Sequence, residues 1–252
     1  MLRRATRILF AFIALAAFAL PQSIPAPRPG YQFPKNQTFL YDVEWRLFPA
    51  GTATLRMEQA GGQQRITGAG DAIGAIALLY RVHDRFESFL DPKTYCSLSL
   101  SKQTEEGFRR VNTNIRFDYS AGKSILLEKN LKNNTSKRQE NPIPGCVSDV
   151  LSSIYYVASL PLSPNATYTF PINDGGKTTT VEVRVEGKED VKVPAGTFHT
   201  IRVQPRAQNS TGKAKGEMWL WYSDDARRVP VQMRARLFWG TLTLRLTRVE
   251  TK

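Results

Sequence analysis

Residues 218–249 read MWLWYSDDARRVPVQMRARLFWGTLTLRLTRV, and this stretch decides the fold class. Apolar and polar residues alternate in three runs, which are separated by the segment 223–228 and by Trp239-Gly240. Side chains of a β-strand point to opposite faces in turn, so the pattern predicts three antiparallel strands with one buried and one solvated face. Turn-forming residues at 223–228, followed by Pro230, separate the first two strands.

The same alternation recurs upstream between residues 38 and 205, with hairpin signals at Gly61-Gly62 and at 173–176. The segment 130–141 is polar, and we expect it to be an exposed loop. Residues 35–252 are therefore predicted to form a single, mainly β domain. Its expected architecture is a strongly curved antiparallel sheet, an open barrel or a sandwich of about ten strands.

One helix is predicted over residues 148–160, where Ser148 or Asp149 can cap its start and Pro161 follows its end. Its broad apolar face indicates that it packs on the sheet. The segment 69–82 also breaks the alternation and fits a short helix capped by Asp71. We favour buried packing for this segment; the alternative is an exposed apolar lip that touches lipid.

The N-terminus has the features of a secretory signal peptide. Residues 1–19 combine three arginines, an apolar run and the cleavage pattern Ala17-Phe18-Ala19. The apolar run is shorter than the roughly 20 residues that span a bilayer, so we expect cleavage and no stable membrane span afterwards. Residues 20–34 are rich in proline and are predicted to form an extended spacer.

The charge of the chain favours anionic partners. The 252 residues carry a formal charge of +13, and removing the three leader arginines leaves +10. Such a balance suits lipid headgroups or glycans, although basic residues spread along alternating strands are also typical of a solvated face. No nucleic-acid partner is expected, because the chain is exported and contains no recognisable binding motif.

The two cysteines, Cys96 and Cys146, are predicted to form a disulfide bond. An exported chain enters an oxidising compartment, and two cysteines without a neighbouring histidine cannot complete a zinc site. Two buried free thiols are the alternative. The sequence indicates no metal site and no cofactor.

The sequence contains few candidates for catalysis. The only histidines, His83 and His199, lack a nucleophile at a recognisable spacing. Asp224 and Asp225 are adjacent carboxylates, but adjacent side chains usually diverge. We therefore expect them to stabilise a turn.

In that turn, Arg227 and Arg228 would hold the two carboxylates as ion pairs. If the protein is a hydrolase, the residues to test are Asp149, Asp224 and Asp225.

The sequence contains several motifs in a fixed order, namely Tyr41-Asp42-Val43, Pro49-Ala50-Gly51-Thr52, Ser148-Asp149-Val150-Leu151-Ser152, Val193-Pro194-Ala195-Gly196-Thr197-Phe198 and Trp221-Tyr222-Ser223-Asp224-Asp225. Together they resemble one family of bacterial exported proteins, domain of unknown function 3108. The resemblance implies a periplasmic, mainly antiparallel β domain. It implies no activity, ligand or catalytic residue.

These observations favour a non-catalytic binding or envelope-maintenance module. The ligand would be an apolar or amphipathic molecule of the cell envelope, a lipid or a glycan, held inside the curved sheet. The alternatives are a hydrolase that acts on envelope polymers through carboxylates and a structural partner of another envelope protein. The sequence makes no prediction about oligomeric state.

Overall fold

The computed structural model describes residues 24–208 and 216–251, so the predicted signal peptide lies outside the described residues. Fourteen strands and two helices make up the described chain. The strands are β1 (Gln37–Trp45), β2 (Phe48–Ala60), β3 (Gln63–Ala72), β4 (His83–Leu90), β5 (Ser97–Glu106), β6 (Arg109–Asp118), β7 (Lys123–Asn130), β8 (Thr135–Pro142), β9 (Thr167–Asn173), β10 (Thr178–Val193), β11 (Gly196–Gln208), β12 (Glu217–Ser223), β13 (Pro230–Leu237) and β14 (Gly240–Thr251). The helices are α1 (Gly74–Leu79) and α2 (Val150–Ser159).

All fourteen strands belong to one antiparallel sheet. Its order is β8-β7-β6-β5-β4-β3-β2-β1-β14-β13-β12-β11-β10-β9, so two meanders join where β1 pairs with β14. The junction runs from the pair Gln37↔Thr251 to the pair Trp45↔Leu242. The sheet is not closed, because β8 and β9 remain as its edges.

The prediction of an antiparallel, mainly β fold is confirmed, but the expected count of about ten strands is too low. The segment 130–141 is not a loop: β8 occupies most of it and pairs with β7 from Lys123↔Pro142 to Asn130↔Thr135. Strand β8 lies at the sheet edge and is mostly exposed. A strand that buries neither face needs no apolar alternation, so the sequence pattern could not reveal it.

Helix α2 lies on the inner side of the sheet between two apolar clusters. The first cluster is formed mainly by β1–β7, β13 and β14, and it includes Leu151 and Tyr155 of α2. The second is formed mainly by β9–β12, and it includes Tyr156 and Val157 of α2. Because opposite faces of α2 complete both clusters, its side chains fill the space that the curved sheet encloses.

The segment leading into α2 is bonded to both halves of the sheet. Ser148 donates its N–H to the carbonyl of Pro171 at 3.0 Å and accepts the N–H of Asn173 at 2.8 Å. On the other side, the N–H of Ser97 donates to the carbonyl of Val147 at 2.9 Å. The start of α2 is thereby fixed between β5 and β9.

Residues 24–34, the described part of the predicted extended spacer, pack on the domain. The hydroxyl of Tyr156 donates to the carbonyl of Pro25 at 2.6 Å, and the N–H of Arg28 donates to the carbonyl of Ser159 at 2.8 Å. The rings of Phe33 and Tyr95 lie 4.8 Å apart. The proline-rich segment therefore packs against the second apolar cluster.

Helix α1 does not have the predicted buried packing, because none of its residues is buried. Its N-cap is Ile73, whereas the expected cap Asp71 accepts a hydrogen bond from Arg85 and lies 2.7 Å from His83. Apolar composition alone did not distinguish a core segment from an exposed one, and the helix is exposed.

Candidate functional site

A depression lies on the outer face of β12, β13, β14 and β1, and we name it the outer-face groove. Met233 and Leu244 pack towards the interior, so the residues beside them in sequence project from the opposite face. The groove has a volume of about 630 Å³. Its lining residues are Glu44, Arg46, Leu47, Lys192, Trp219, Gln232, Arg234, Arg236, Thr241, Thr243 and Arg245.

Strand register brings these side chains together. Arg234 pairs with Trp219 on one side and with Thr243 on the other, while Gln232 pairs with Arg245. Directly opposite side chains in an antiparallel sheet lie about 5 Å apart, so residues from several strands form one continuous surface. The groove runs from Lys192 at one end to Leu47 at the other.

The hairpin of β10 and β11 supplies the far wall of the groove. Its tip reaches β14, where the N–H of Ala195 donates to the carbonyl of Leu246 at 3.0 Å. The side chain of Arg245 donates to the carbonyl of Lys192 at 3.2 Å. A register shift between Val185 and Gly187 interrupts the β10–β11 pairing, and a bulge of this kind lets a hairpin change direction.

The groove is strongly basic, because five Arg or Lys side chains and a single carboxylate line it. The carboxylate, Glu44, is 2.9 Å from Arg245. Within the described ranges, Arg46, Lys192 and Arg234 have no carboxylate partner. Three unneutralised cations along one depression favour an anionic ligand.

Two groove arginines also stack on tryptophan. The guanidinium of Arg234 is 5.5 Å from the ring centre of Trp221, and that of Arg236 is 5.8 Å from the ring centre of Trp219. Trp221 in turn donates its indole N–H to Glu189 at 2.7 Å. These contacts hold the arginines in place, which lowers the entropy lost when they bind an anion.

Asp149 is fully buried and serves as the N-cap of α2. One carboxylate oxygen accepts the N–H groups of Leu151 at 2.8 Å and Ser152 at 3.0 Å. The other accepts the hydroxyls of Ser88 at 2.5 Å, Ser97 at 2.7 Å and Ser152 at 2.8 Å. These five bonds occupy a carboxylate that has no contact with solvent, so the geometry assigns it a structural role.

Asp225 organises the turn between β12 and β13. It accepts the hydroxyl of Ser223 at 2.7 Å and the N–H groups of Arg227 at 2.9 Å and Arg228 at 3.1 Å. Its second oxygen accepts two bonds from the Arg227 side chain at 3.0 and 2.7 Å. Burial opposes ionisation of this carboxyl, but the bonds from Ser223 and Arg227 outweigh it and lower its pKa.

Asp224 joins the same turn to β10. Its carboxylate is 2.6 Å from Lys188 and 3.0 Å from Arg228. The hydrogen bond from Lys188 is the main reason that the pKa of Asp224 lies below its ordinary value of 3.8. The structure thus places all four turn residues of the prediction in one ion-paired turn, away from the outer-face groove.

Cys96 and Cys146 are joined by a disulfide bond, with their Cα atoms 5.1 Å apart. The bond links the connection before β5 to the segment before α2.

The histidines lie apart from one another and from the buried serines. His83 is 2.7 Å from Asp71, and His199 is 2.5 Å from Asp190. Neither has a serine or cysteine partner among the side-chain hydrogen bonds of the described residues. In the same ranges, no three His, Cys, Asp or Glu side chains converge as a metal site would need.

The sequence profile of the family described as "Protein of unknown function (DUF3108)" matches residues 40–247. The chain belongs to the DUF3108 family. This match confirms the resemblance drawn from the ordered motifs. No curated protein matches the sequence of this DUF3108 chain.

Solved structures show that the DUF3108 fold has relatives. A β-barrel-like protein of the domain of unknown function DUF1849 from Brucella abortus has a TM-score of 0.64 at 8% identity, over 87% of this chain and 99% of its own. A protein described as exported, with a YmcC-like fold, from Bacteroides fragilis has a TM-score of 0.38 at 8% identity, over 88% and 98%. The first shows a shared fold, and the second is too dissimilar to support an argument.

In the described part of this DUF3108 protein, no helix is long and apolar enough to cross a membrane.

Sequence reasoning did not locate the groove of this DUF3108 protein. Alternation over residues 218–249 correctly predicted strands with one face turned from the core, which in β13 carries Gln232, Arg234 and Arg236, but basic residues on such faces were interpreted as solvated. The missing information was the pairing of β14 with β1, which adds Glu44 and Arg46 from a distance of about 190 residues along the chain.

Proposed function

We propose that this DUF3108 protein is a non-catalytic periplasmic module that binds an anionic, amphipathic molecule of the cell envelope in the outer-face groove. The observation that carries the proposal is the surplus of cations along the groove, where five basic side chains accompany one carboxylate. The predicted leader supports the envelope location. Asp149, Asp224 and Asp225 all have structural contacts, so no observation favours the hydrolase alternative.

The sequence led us to expect a ligand inside the curved sheet, but the interior is already filled, so we propose a site outside it. The two apolar clusters and α2 occupy that space, whereas the groove is open to solvent. An anionic headgroup would lie between Arg234 and Lys192, two of the three groove cations without a carboxylate partner. The apolar part would extend towards Leu47, where the groove opens.

The test compares soluble short-chain lipids by isothermal titration calorimetry with the mature chain. Dihexanoyl phosphatidylglycerol is the anionic probe, dihexanoyl phosphatidylcholine has the same tails without net charge, and glycerol 3-phosphate has the anion without tails. We expect the anionic lipid to bind at least about tenfold more tightly than the choline lipid, since one hydrogen bond to a charged group is worth about that factor. It should exceed glycerol 3-phosphate by at least about the same factor, since burial of two methylene groups of the tails is worth as much.

The variant Arg234→Gln should weaken binding of the anionic lipid by about tenfold. Its matched control is Arg248→Gln, because Arg248 is an exposed β14 arginine outside the groove that pairs with Glu250. Equal affinities for the two lipids, or equal effects of the two variants, would overturn the proposal. If glycerol 3-phosphate bound as tightly as the lipid, the ligand would be a small anion and not an amphipathic molecule.

A further inference from the structure

One end of the sheet carries a continuous set of exposed apolar side chains, which we name the apolar rim. In an antiparallel meander, successive turns alternate between the two ends. The turns β1–β2, β5–β6, β7–β8 and β13–β14 and the α1 connection therefore share one end. The apolar rim consists of Leu47, Phe48, Ile73, Leu78, Leu79, Tyr80, Phe108, Leu131, Phe238 and Trp239.

Contacts between neighbouring turns show that the rim is continuous. The β13–β14 and β1–β2 turns meet where the ring centres of Trp239 and Trp45 lie 6.4 Å apart. The α1 connection is joined to β2 by the Ile73 N–H, which donates to the Ala50 carbonyl at 3.0 Å, and to the β5–β6 turn by the Gly107 N–H, which donates to the Arg81 carbonyl at 2.8 Å. The β7–β8 turn follows, where the Lys132 ammonium lies 5.5 Å from the ring centre of Phe108. Each connection thus touches the next, although the residues are distant in sequence.

The rim side chains are too exposed to be part of the core. The exposed fractions are 87% for Leu47, 89% for Leu78, 84% for Leu79, 89% for Phe108 and 98% for Phe238. Of the fourteen exposed large apolar side chains in the described ranges, ten lie on the rim. The turns at the opposite end instead carry residues such as Gly61, Asp91, Ser120 and Asp225. Apolar side chains gathered at one end mark a contact surface.

Basic side chains lie between the apolar tips. They are Arg46, Arg81, Arg109, Arg110, Lys132 and Arg236. Glu105, Glu106 and Glu217 pair with four of them. Arg46 and Lys132 have no carboxylate partner in the part of the chain that the structure describes. The rim therefore carries a net positive charge beside its apolar side chains.

We infer that the apolar rim inserts into the surface of a lipid membrane that contains anionic headgroups. Short turns with separate apolar tips can enter the headgroup region without a flat, complementary partner. The surrounding arginines and lysines would contact lipid phosphates, and Trp239 and Tyr80 have the amphipathic rings that favour the membrane–water boundary. The rim and the outer-face groove share Arg46, Leu47 and Arg236, but the inference rests on the exposed apolar tips and not on the ligand proposed for the groove.

The test is co-sedimentation of the mature chain with vesicles of phosphatidylglycerol and phosphatidylethanolamine, compared with vesicles of phosphatidylcholine. Binding should be stronger to the anionic vesicles and should weaken with added salt. The double variant Leu78→Ser/Phe238→Ser should lose at least about tenfold in partition coefficient, because two exposed tips no longer transfer from water. Neutral serine leaves the charge of the rim unchanged, so the loss measures the apolar contribution.

The matched control is Leu127→Ser/Val249→Ser, which removes two exposed apolar side chains away from the rim. Equal binding by both double variants, or no binding of the parent chain to anionic vesicles, would overturn the inference. The groove variant Arg234→Gln should retain vesicle binding. If it alone abolished binding, the groove and not the rim would be the lipid site.

A second measurement places a probe at the rim. Trp fluorescence of Phe238→Trp should be quenched by brominated lipids in the vesicles, and absence of quenching would contradict insertion. Sedimentation velocity tests whether the rim instead binds a second copy of the chain. If the parent chain forms a dimer that Leu78→Ser/Phe238→Ser dissociates without changing vesicle binding, the rim contacts a second copy instead.

Discussion

Replacing Asp149 with alanine should destabilise the protein more than the same replacement at Asp91, Asp224 or Asp225. The carboxylate accepts five hydrogen bonds in a site without solvent. Alanine leaves the N–H groups of Leu151 and Ser152 without their cap, which costs about 1 kcal/mol. It also removes the acceptor of three buried hydroxyls.

The hydroxyls can compensate only in part. Ser88 and Ser152 lie 2.8 Å apart and can bond to each other, and Ser97 still accepts the N–H of residue 149. If two hydroxyl hydrogens remain unpaired at about 1–3 kcal/mol each, the total is about 3–5 kcal/mol once the relief of a buried charge is subtracted. A loss of that size is a large part of the 5–15 kcal/mol typical of a domain.

Urea unfolding followed by circular dichroism measures the effect. Asp149→Asn should cost less than Asp149→Ala, because one amide oxygen still accepts both N–H groups. The control is Asp91→Ala, since Asp91 accepts the N–H groups of Lys93 and Thr94 at 2.7 and 3.1 Å in an exposed turn. If Asp149→Ala is no more destabilising than Asp91→Ala, the structural assignment of Asp149 is wrong.

Two further predictions concern the turn and the disulfide. Asp225→Ala should cost about 1–2 kcal/mol because two backbone N–H groups lose their acceptor. Asp224→Ala should cost less, about 1 kcal/mol, because its carboxylate makes partly buried ion pairs with Lys188 and Arg228 but accepts no backbone N–H group. The pKa values of Asp224 and Asp225 are lower in the folded protein than in the unfolded chain. Their ionised carboxylates therefore stabilise the folded state at pH values above the unfolded pKa, near 4, and this stabilisation is lost as the pH falls through the folded pKa. The urea concentration at the unfolding midpoint should therefore decrease when the pH falls below about 4. The double variant Asp224→Asn/Asp225→Asn should show a smaller decrease, and a decrease equal to that of the parent chain would refute this prediction. Unreduced, unfolded protein should show no reactive thiol at Cys96 or Cys146, and Cys96→Ser/Cys146→Ser should lower the free energy of unfolding by about 4 kcal/mol for a loop of this length. Two labelled thiols before reduction would contradict the bond.

Most of the fold could be predicted from alternation, because a half-buried strand places apolar residues on one face. The strands around residues 218–249 and the helix at Asp149 are examples, and both follow from local patterns. Strand β8 and helix α1 were missed or misplaced for one physical reason: neither buries an apolar face. Their position depends on neighbours that are distant in sequence.

The candidate surfaces were less predictable than the strands. A basic residue such as Arg234 has the same local pattern whether it faces bulk water or a groove with Glu44 and Arg46 opposite. Only the β1–β14 pairing and the returning β10–β11 hairpin decide between these environments. The rim illustrates the same limit, since Leu47, Leu78 and Phe238 become neighbours only when the meander aligns their turns.

The position of α2 also decides where a ligand can bind. A molecule inside the sheet would have to displace the helix, and this would break the five bonds of Asp149. It would also break the 2.8 Å bond from the Tyr222 hydroxyl to the Ile154 carbonyl. The apolar side chains of both clusters would lose their contacts at the same time. Because these losses together rival the stability of a typical domain, binding inside the sheet is disfavoured. Recognition by this chain is therefore expected on the outer-face groove and the apolar rim, which meet at Arg46 and Leu47.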